Sequence, residues 1–255
     1  MPQRSEFLWG WFLWYLRGYL RKNFHALRLS RANPLPDLAG QPLVFVMNHP
    51  SWWDPLVAIL LTPRFPAYKA FAPLDAEMLK KYPMFGKLGM FGVEQNTARG
   101  AVQFLRTSLN LLAQPGHAIW ITAQGRFADV RERPLVLKPG VAHLAARMTT
   151  GVLLPLAIEY PFWNERFPEA LARFGEPLII EPGIATDTWL ARITQALEAT
   201  QDALRDEAMS RDPEKFETLL GGSVGVGGVY DWWRRWTAWL RGERFSVAHD
   251  KENAT

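Results

Sequence analysis

The chain has 255 residues, 48% of them hydrophobic, which is enough to bury the core of one large domain or two small ones. It contains no cysteine, and this excludes disulfides, thiol nucleophiles and cysteine-ligated metal sites. The formal charge of +4 is mildly basic and fits nucleic acid, anionic lipid or a phosphorylated small molecule equally well.

The N-terminal segment is unusually aromatic. Residues 7–16 read FLWGWFLWYL and are followed by Arg17, Arg21 and Lys22. As a helix this run would be about 15 Å long, half of the roughly 30 Å hydrocarbon core of a bilayer. The basic residues follow the apolar run and no small-residue cleavage site comes after it, which argues against a signal peptide. We therefore predict a helix over residues 1–30 that lies in the membrane surface.

The C-terminal segment has a similar composition. A glycine-rich stretch at residues 221–228 precedes YDWWRRWTAWLRGERF, in which the four tryptophans fall within an arc of about 120° on a helix. Tryptophan favours the membrane–water boundary, so the pattern predicts a tether and a second surface helix over residues 221–255. The alternative is a helix that packs on the protein's own core.

Between the ends, short apolar runs alternate with helical patterns. Strands are predicted at residues 43–47, near 92–93, and at 117–121 and 152–158. Helices are predicted at residues 52–61, 97–112, 141–148 and 187–208. This alternation predicts an α/β fold, a single layered domain over residues 31–220 with a mostly parallel sheet flanked by helices.

The segment Asn48-His49-Pro50-Ser51-Trp52-Trp53-Asp54 carries the clearest chemistry. In a continuous helix His49 and Asp54 would point in different directions, but they can meet if His49 lies in a turn and Asp54 in the first helical turn. Pro50 and Ser51 favour that corner, with Ser51 as helix N-cap. The carboxylate would then orient the imidazole, which could take a proton from a substrate hydroxyl.

A structural explanation of the same residues stays open. Ser51 and Asp54 have the spacing of a capping box, with Asp in place of the commoner Glu or Gln. In that case His49 would be a turn residue without a chemical role.

The segment after the first strand resembles the Asn-His-x-Ser-x-x-Asp block of the glycerolipid and lysophospholipid acyltransferase superfamily, and later blocks follow in order. They are residues 89–95 (GMFGVEQ), 122–126 (TAQGR), 138–142 (KPGVA) and 153–156 (LLPL). The resemblance covers residues 40–182. It implies a peripheral or monotopic enzyme on the cytoplasmic face of the cell membrane that moves an acyl group from acyl-carrier protein or coenzyme A to a lipid hydroxyl.

In this superfamily the first block supplies the catalytic pair, here His49 and Asp54. The resemblance assigns substrate binding to residues in and around the other blocks. These are Asn48, Ser51, Gln95, Gln124, Gly125, Arg126, Lys138 and Pro155.

Three departures from the family pattern concern the acceptor. Gln95 replaces the usual arginine of the second block, and Gln124 replaces the usual glutamate of the third. In the third block Arg126 comes one position earlier than the usual arginine, whose place Phe127 occupies. A phosphate could still be bound by a basic cluster, whose alternative explanation is a solvated loop. The cluster comprises Arg126, Arg131, Arg133 and Lys138.

The leading hypothesis is therefore acyl transfer to a lysophospholipid-like acceptor, with His49 as general base. The same chemistry on a glycolipid, terpenoid glycoside or aminolipid, and a non-catalytic lipid-binding protein, are the alternatives. We expect membrane contact through both termini, no nucleic-acid partner, no metal, and no cofactor beyond the acyl donor.

Overall fold

The computed structural model describes residues 2–33, 38 and 40–222. Its strands are β1 (Ala26–Ser30), β2 (Leu43–Met47), β3 (Lys69–Asp75), β4 (Met90–Val93), β5 (His117–Thr122), β6 (Val152–Glu159), β7 (Glu169–Phe174), β8 (Leu178–Ile179) and β9 (Phe216–Gly221). Its α-helices are α1 (Glu6–Asn23), α2 (Asp54–Leu61), α3 (Ala76–Lys81), α4 (Met84–Lys87), α5 (Ala98–Leu112), α6 (Gly140–Ala145) and α7 (Thr186–Ser210). Short 3-10 turns lie at Thr62–Arg64 and Pro213–Lys215.

The strands form one sheet in the order β4-β3-β5-β2-β6-β7-β1-β9, with β8 beside β6. Strands β2 to β6 all run in the same direction, while β7 and β8 are antiparallel to β6 and β9 is antiparallel to β1. The predicted single α/β domain with a mostly parallel sheet is thus confirmed. The central strand β2 is buried on both faces, which is why its sequence is continuously apolar.

Two hydrophobic layers cover the sheet. Phe45 of β2 packs in the layer formed with α1 and α2, and Val44 and Val46 point into the layer formed with α5, α6 and α7. Trp189 of α7 is completely buried in this second layer. Burying one such large side chain is worth about 1.5–3 kcal/mol, so both layers contribute to holding the central strands in place.

Helix α1 presents apolar side chains on two opposite faces. The Ser5 side chain caps its first turn by accepting the Leu8 N–H. One face, which includes Leu16 and Leu20, is buried against the domain, and the other leaves Phe7, Trp11 and Trp14 exposed. No helix in the described part of the chain is long and apolar enough to cross a membrane.

The predicted boundary at residues 30 and 31 falls at the end of β1, which lies between β7 and β9. The N-terminal segment therefore contributes a strand to the same sheet as the rest of the domain. The predicted C-terminal tryptophan helix, and the tether from residue 223 onward, lie outside the described residues.

Candidate active site

The candidate site lies at the edge of the sheet where the parallel strands end. His49 follows β2 by two residues, Gln124 follows β5 by two, and Tyr160 directly follows β6. Since β5, β2 and β6 are neighbours and run in the same direction, these three side chains converge at one edge. Open α/β sheets commonly bind their ligands at this carboxyl edge.

The structure brings the predicted pair together. His49 lies in the turn after β2 and Asp54 is the first residue of α2, so the corner is the one expected from the sequence. His49 Nδ1 lies 2.7 Å from Asp54 Oδ2, and Asp54 is completely buried. A proton on Nδ1, donated to the carboxylate, leaves Nε2 as the acceptor nitrogen of the neutral ring.

Two further groups bind the Asp54 carboxylate. The Ser51 N–H donates to Oδ2 at 2.9 Å, and the Tyr160 hydroxyl donates to Oδ1 at 2.6 Å. A buried carboxylate needs such partners because it has lost its hydration. Burial, followed by the nearby Asp54 charge, raises the pKa of Tyr160 well above its ordinary value, so Tyr160 stays a donor. Sequence reasoning missed Tyr160.

The capping and catalytic explanations therefore describe the same carboxylate. Asp54 accepts the Ser51 N–H, as a capping-box acid would, and also the His49 ring proton. The predicted N-cap role of Ser51 is wrong: Trp53 precedes the helix, and the Ser51 hydroxyl accepts the Trp53 N–H only at a long 3.4 Å.

Two side chains that were predicted to bind substrate, those of Asn48 and Gln124, hold the loop between β2 and α2. This loop, residues 48–53, is called the catalytic loop below. The Asn48 amide exchanges two hydrogen bonds with the Ile158 backbone of β6, at 2.8 and 2.9 Å. The buried Gln124 accepts the His49 N–H through Oε1 at 2.9 Å, and the Ala128 N–H donates to the His49 carbonyl. Both backbone polar groups of His49 are thereby fixed, so Asn48 and Gln124 support this loop, and their assignment to substrate stays a prediction.

An apolar cavity of about 410 Å³ begins at His49. Phe127 packs against the imidazole with ring centroids 4.5 Å apart. The walls come from α2, β3 and β5 and include Ile59, Phe71 and Trp120. Such a cavity offers apolar surface to a hydrophobic ligand beside the histidine.

A second cavity of about 350 Å³ lies beside the first, and Gln95 lines both. Lys138 reaches into this region and donates to Asn96 Oδ1 at 2.6 Å. Gly125 has a φ of 61°, and a Cβ there would lie 2.8 Å from Lys138 Cγ. The position therefore favours glycine on two counts. Gln95, Gly125 and Lys138 line this one cavity, and their role in substrate binding stays a prediction.

The predicted basic cluster is largely neutralised by its own surroundings. Arg126 pairs with Glu132, and Arg131 pairs with Asp129. Arg133 pairs with Glu198 and Asp202 of α7. Of the four predicted cations, Lys138 alone has no carboxylate partner among the described residues. The hypothesis of a four-residue phosphate site is therefore corrected to a single cation.

Pro155 is not in a position to bind substrate. It is buried within β6, in register with Val46 of β2, and lines neither of the two cavities beside His49. Tyr160, in contrast, follows the same strand at the carboxyl edge. The predicted parallel sheet puts the end of this strand beside His49. Tyr160 could therefore have been identified from its position directly after the strand.

Similar proteins were found both among solved structures and among family models. The crystal structure of the 1-acyl-sn-glycerophosphate (LPA) acyltransferase PlsC from Thermotoga maritima is similar, with a TM-score of 0.50 and 15% sequence identity over 78% of this chain and 81% of that one. At that identity the likeness concerns the fold. No curated protein matches the sequence. A sequence model described as Acyltransferase matches residues 23–159, just over half of the chain. The chain therefore belongs to the acyltransferase family.

Proposed function

We propose that this acyltransferase moves a fatty acyl group from a thioester of coenzyme A or acyl-carrier protein to a hydroxyl of a lysophospholipid-like membrane lipid. One observation carries the proposal: His49 lines an apolar cavity, and its Nδ1 lies 2.7 Å from Oδ2 of the completely buried Asp54. A general base beside a site for a hydrocarbon chain is the arrangement that acyl transfer to an alcohol requires.

In the proposed reaction, Nε2 of His49 takes the proton of the acceptor hydroxyl as its oxygen attacks the thioester carbonyl carbon. A carbon–oxygen bond forms, the tetrahedral intermediate collapses, and the carbon–sulfur bond breaks. The imidazolium returns its proton to the leaving sulfur, so ester and thiol are the products. Asp54 stabilises the imidazolium, in the role of the acid of a catalytic triad.

The apolar cavity supports an acyl-chain site. Its walls are mostly aliphatic and aromatic, and His49 lies at one end, where the carbonyl group has to react. Each methylene of the chain that leaves water stabilises the complex by about 0.8 kcal/mol. A cavity of this kind also fixes the distance between the chain end and the catalytic nitrogen.

Membrane contact is supported by the outward face of α1. Phe7 is 83% exposed and Trp14 73% exposed, while the basic Arg21 and Lys22 follow in the last turn. Aromatic rings that are too exposed for a core fit the lipid headgroup region, with cations beside the phosphates. Trp52 of the catalytic loop is also 54% exposed.

Aromatic contacts connect α1 with the catalytic loop. Tyr15 stacks on Tyr19, Tyr19 lies 5.6 Å from Trp53, and Trp53 lies 4.9 Å from Trp52, measured between ring centroids. We therefore propose that α1 and the catalytic loop face the same lipid surface, which delivers the acceptor to His49.

An acceptor without phosphate is the second candidate, and the ion pairs of the basic cluster favour it. Arg126 is occupied by Glu132, and the neutral Gln95 lies where the acyl and polar cavities meet. Within the basic cluster of Arg126, Arg131, Arg133 and Lys138, a phosphate monoester would find only Lys138 without a carboxylate partner among the described residues. A glycosyl or amide headgroup would be satisfied by the amides and hydroxyl at residues 95–97.

Mass spectrometry of the reaction products tests the proposal. The purified protein is given acyl-coenzyme A or acyl-carrier protein, and either lysophosphatidic acid or a membrane lipid extract stripped of phosphomonoesters. We expect a new ester with one donor, and its absence in His49→Ala. An ester formed only from the stripped extract supports the phosphate-free acceptor. Tight binding to vesicles without any ester would instead favour a non-catalytic lipid-binding protein.

A further inference from the structure

A third cavity of about 600 Å³ lies on the other side of the catalytic loop, and we call it the rear cavity. Its walls come from Asn48, Pro50 and Ser51 of that loop, the end of β6, the loop at residues 129–131 and helix α7. It shares no lining residue with the apolar cavity that contains His49. The acyl-transfer chemistry therefore leaves the rear cavity without a role.

The rear cavity contains two hydrogen-bond acceptors without donors. Gln201 of α7 is only 5% exposed, and its Oε1 accepts no hydrogen bond. The half-buried carboxylate of Glu159 accepts none from the described residues either, and burial raises the pKa of that carboxyl group. A polar acceptor that is shielded from water and has no donor is destabilising, so both groups favour a ligand that supplies donors.

The cations near Glu159 are already engaged. Arg131 pairs with Asp129, and Arg205 pairs with Asp202 and Asp206. These arginines donate hydrogen bonds to other carboxylates and not to Glu159, although their positive charges still act on Glu159 and lower its pKa. A cation that carries N–H groups would supply the hydrogen-bond donors that Glu159 and the orphaned Gln201 oxygen both lack.

We propose that the rear cavity binds a primary ammonium group, which donates hydrogen bonds to Gln201 Oε1 and to the Glu159 carboxylate. The ammonium could belong to a lipid headgroup or to a small soluble amine, since both present the same chemistry. Ser51 and Tyr160, which both bind Asp54, form part of the wall, so the ligand would contact the back of the catalytic loop.

The test compares ethanolamine with choline, which keeps the positive charge and the hydroxyl but has no N–H. Binding to the full chain is measured by ligand-observed NMR titration. We expect ethanolamine to bind at least about tenfold more tightly than choline, because choline cannot donate from nitrogen to the two acceptors. Equal affinities for the two compounds would overturn the proposal.

Variants locate the site. Glu159→Gln removes the charge and Gln201→Leu removes the orphaned acceptor, and each should weaken ethanolamine binding by about tenfold. Glu214→Gln, an exposed residue in the 3-10 turn before β9, makes the same charge change elsewhere and should leave the affinity unchanged. Circular dichroism checks the fold of each variant. Folded Glu159→Gln and Gln201→Leu proteins that bind ethanolamine like the wild type would refute the site.

Vesicles then distinguish the two sources of the amine. Flotation is compared for vesicles of phosphatidylcholine alone and of phosphatidylcholine with phosphatidylethanolamine. A bound fraction that rises with phosphatidylethanolamine, and does not rise in Glu159→Gln, assigns the site to a lipid headgroup. An unchanged bound fraction together with ethanolamine binding assigns it to a soluble amine. Because all readouts are binding, they hold whether or not the proposed acyl transfer is correct.

Discussion

The catalytic corner and the acceptor side of the site are built in opposite ways. At the corner, Asp54 and Asn48 are buried, and their side chains are held by named protein donors and acceptors. On the acceptor side, Arg126 and Lys138 are exposed; Arg126 contacts Phe127 and Glu132, and Lys138 contacts Asn96. The fold therefore fixes the position of the proposed base more firmly than the side chains that would contact the headgroup of the acceptor.

This contrast has an energetic basis. A hydrogen bond to a buried charge contributes about 1.5–3 kcal/mol, whereas an exposed ion pair contributes 0–1 kcal/mol. Substitutions at the corner should therefore act strongly on the rate for every substrate. Substitutions on the acceptor side should act weakly, and only on acceptors that carry the matching charge.

The largest effect is expected from His49→Ala. Removing the general base should lower the rate of acyl transfer by about 10²–10⁴-fold, while vesicle flotation stays unchanged because His49 is not on the outward face of α1. Retained transfer in a folded His49→Ala protein would refute the assignment of the base. The thermal unfolding midpoint of the variant serves as the control for folding.

Tyr160→Phe should have the next largest effect. It removes the 2.6 Å hydrogen bond to Asp54 but keeps the ring that packs against Phe24. We expect kcat to fall by about tenfold with KM for both substrates unchanged, since Tyr160 positions Asp54 and does not line the acyl cavity. A rise in KM with constant kcat would instead show that Tyr160 contacts the substrate.

Lys138→Gln is expected to act on one class of acceptor. It should raise KM for a phosphorylated acceptor by up to about fivefold and leave an unphosphorylated acceptor unaffected. Arg126→Gln is the matched control, because Arg126 is already paired with Glu132 and should give no change. Steady-state kinetics on both acceptors decide the matter. An equal rise in KM for the phosphorylated acceptor in both variants would support the four-residue basic site.

The smallest effect is expected from the ion pair of His25 and Glu169, which lies next to the aromatic contacts of the catalytic loop. The hydrogen bond to Glu169 raises the pKa of His25 above its ordinary value of 6.5, and the adjacent Phe24 packs against Trp53. Protonated His25 thus stabilises the folded state below pH 6.5, and this stabilisation is lost as the pH rises through the raised pKa.

Denaturant unfolding, measured at pH values below 6.5 and above the raised pKa of His25, tests this contribution. We expect the free energy of unfolding of the wild type to fall relative to that of His25→Gln as the pH rises through the raised pKa of His25. A parallel pH dependence in the two proteins would show that His25 does not contribute through its charge.

Local patterns predicted four of the nine described strands, β2, β4, β5 and β6, and the contact between His49 and Asp54. The central strand β2 is apolar on both faces, and the proline after His49 marks the end of the strand. Strands β1, β3, β7, β8 and β9 were not predicted, because short runs of mixed polarity carry little periodic signal. The position of β1 is set by its pairing with β7 and β9.

The partners of the site residues were less predictable. Asn48 and Gln124 match family positions, but only the folded chain shows that they bind Ile158 and the His49 backbone. The carboxylates that neutralise the arginines include Asp202 of α7, which is remote in sequence from Arg133. Contacts of that range arise from packing and cannot be read from spacing.

Helix α1 has a final consequence, which follows from its two apolar faces. Leu16 and Leu20 are almost completely buried, so the helix is a rigid part of the domain and cannot swing away from it. A surface that receives Phe7 and Trp14 would therefore hold His49 at one fixed height above the lipids. The acceptor would then reach the base by lateral diffusion in two dimensions, and its capture would depend on its surface density rather than its bulk concentration.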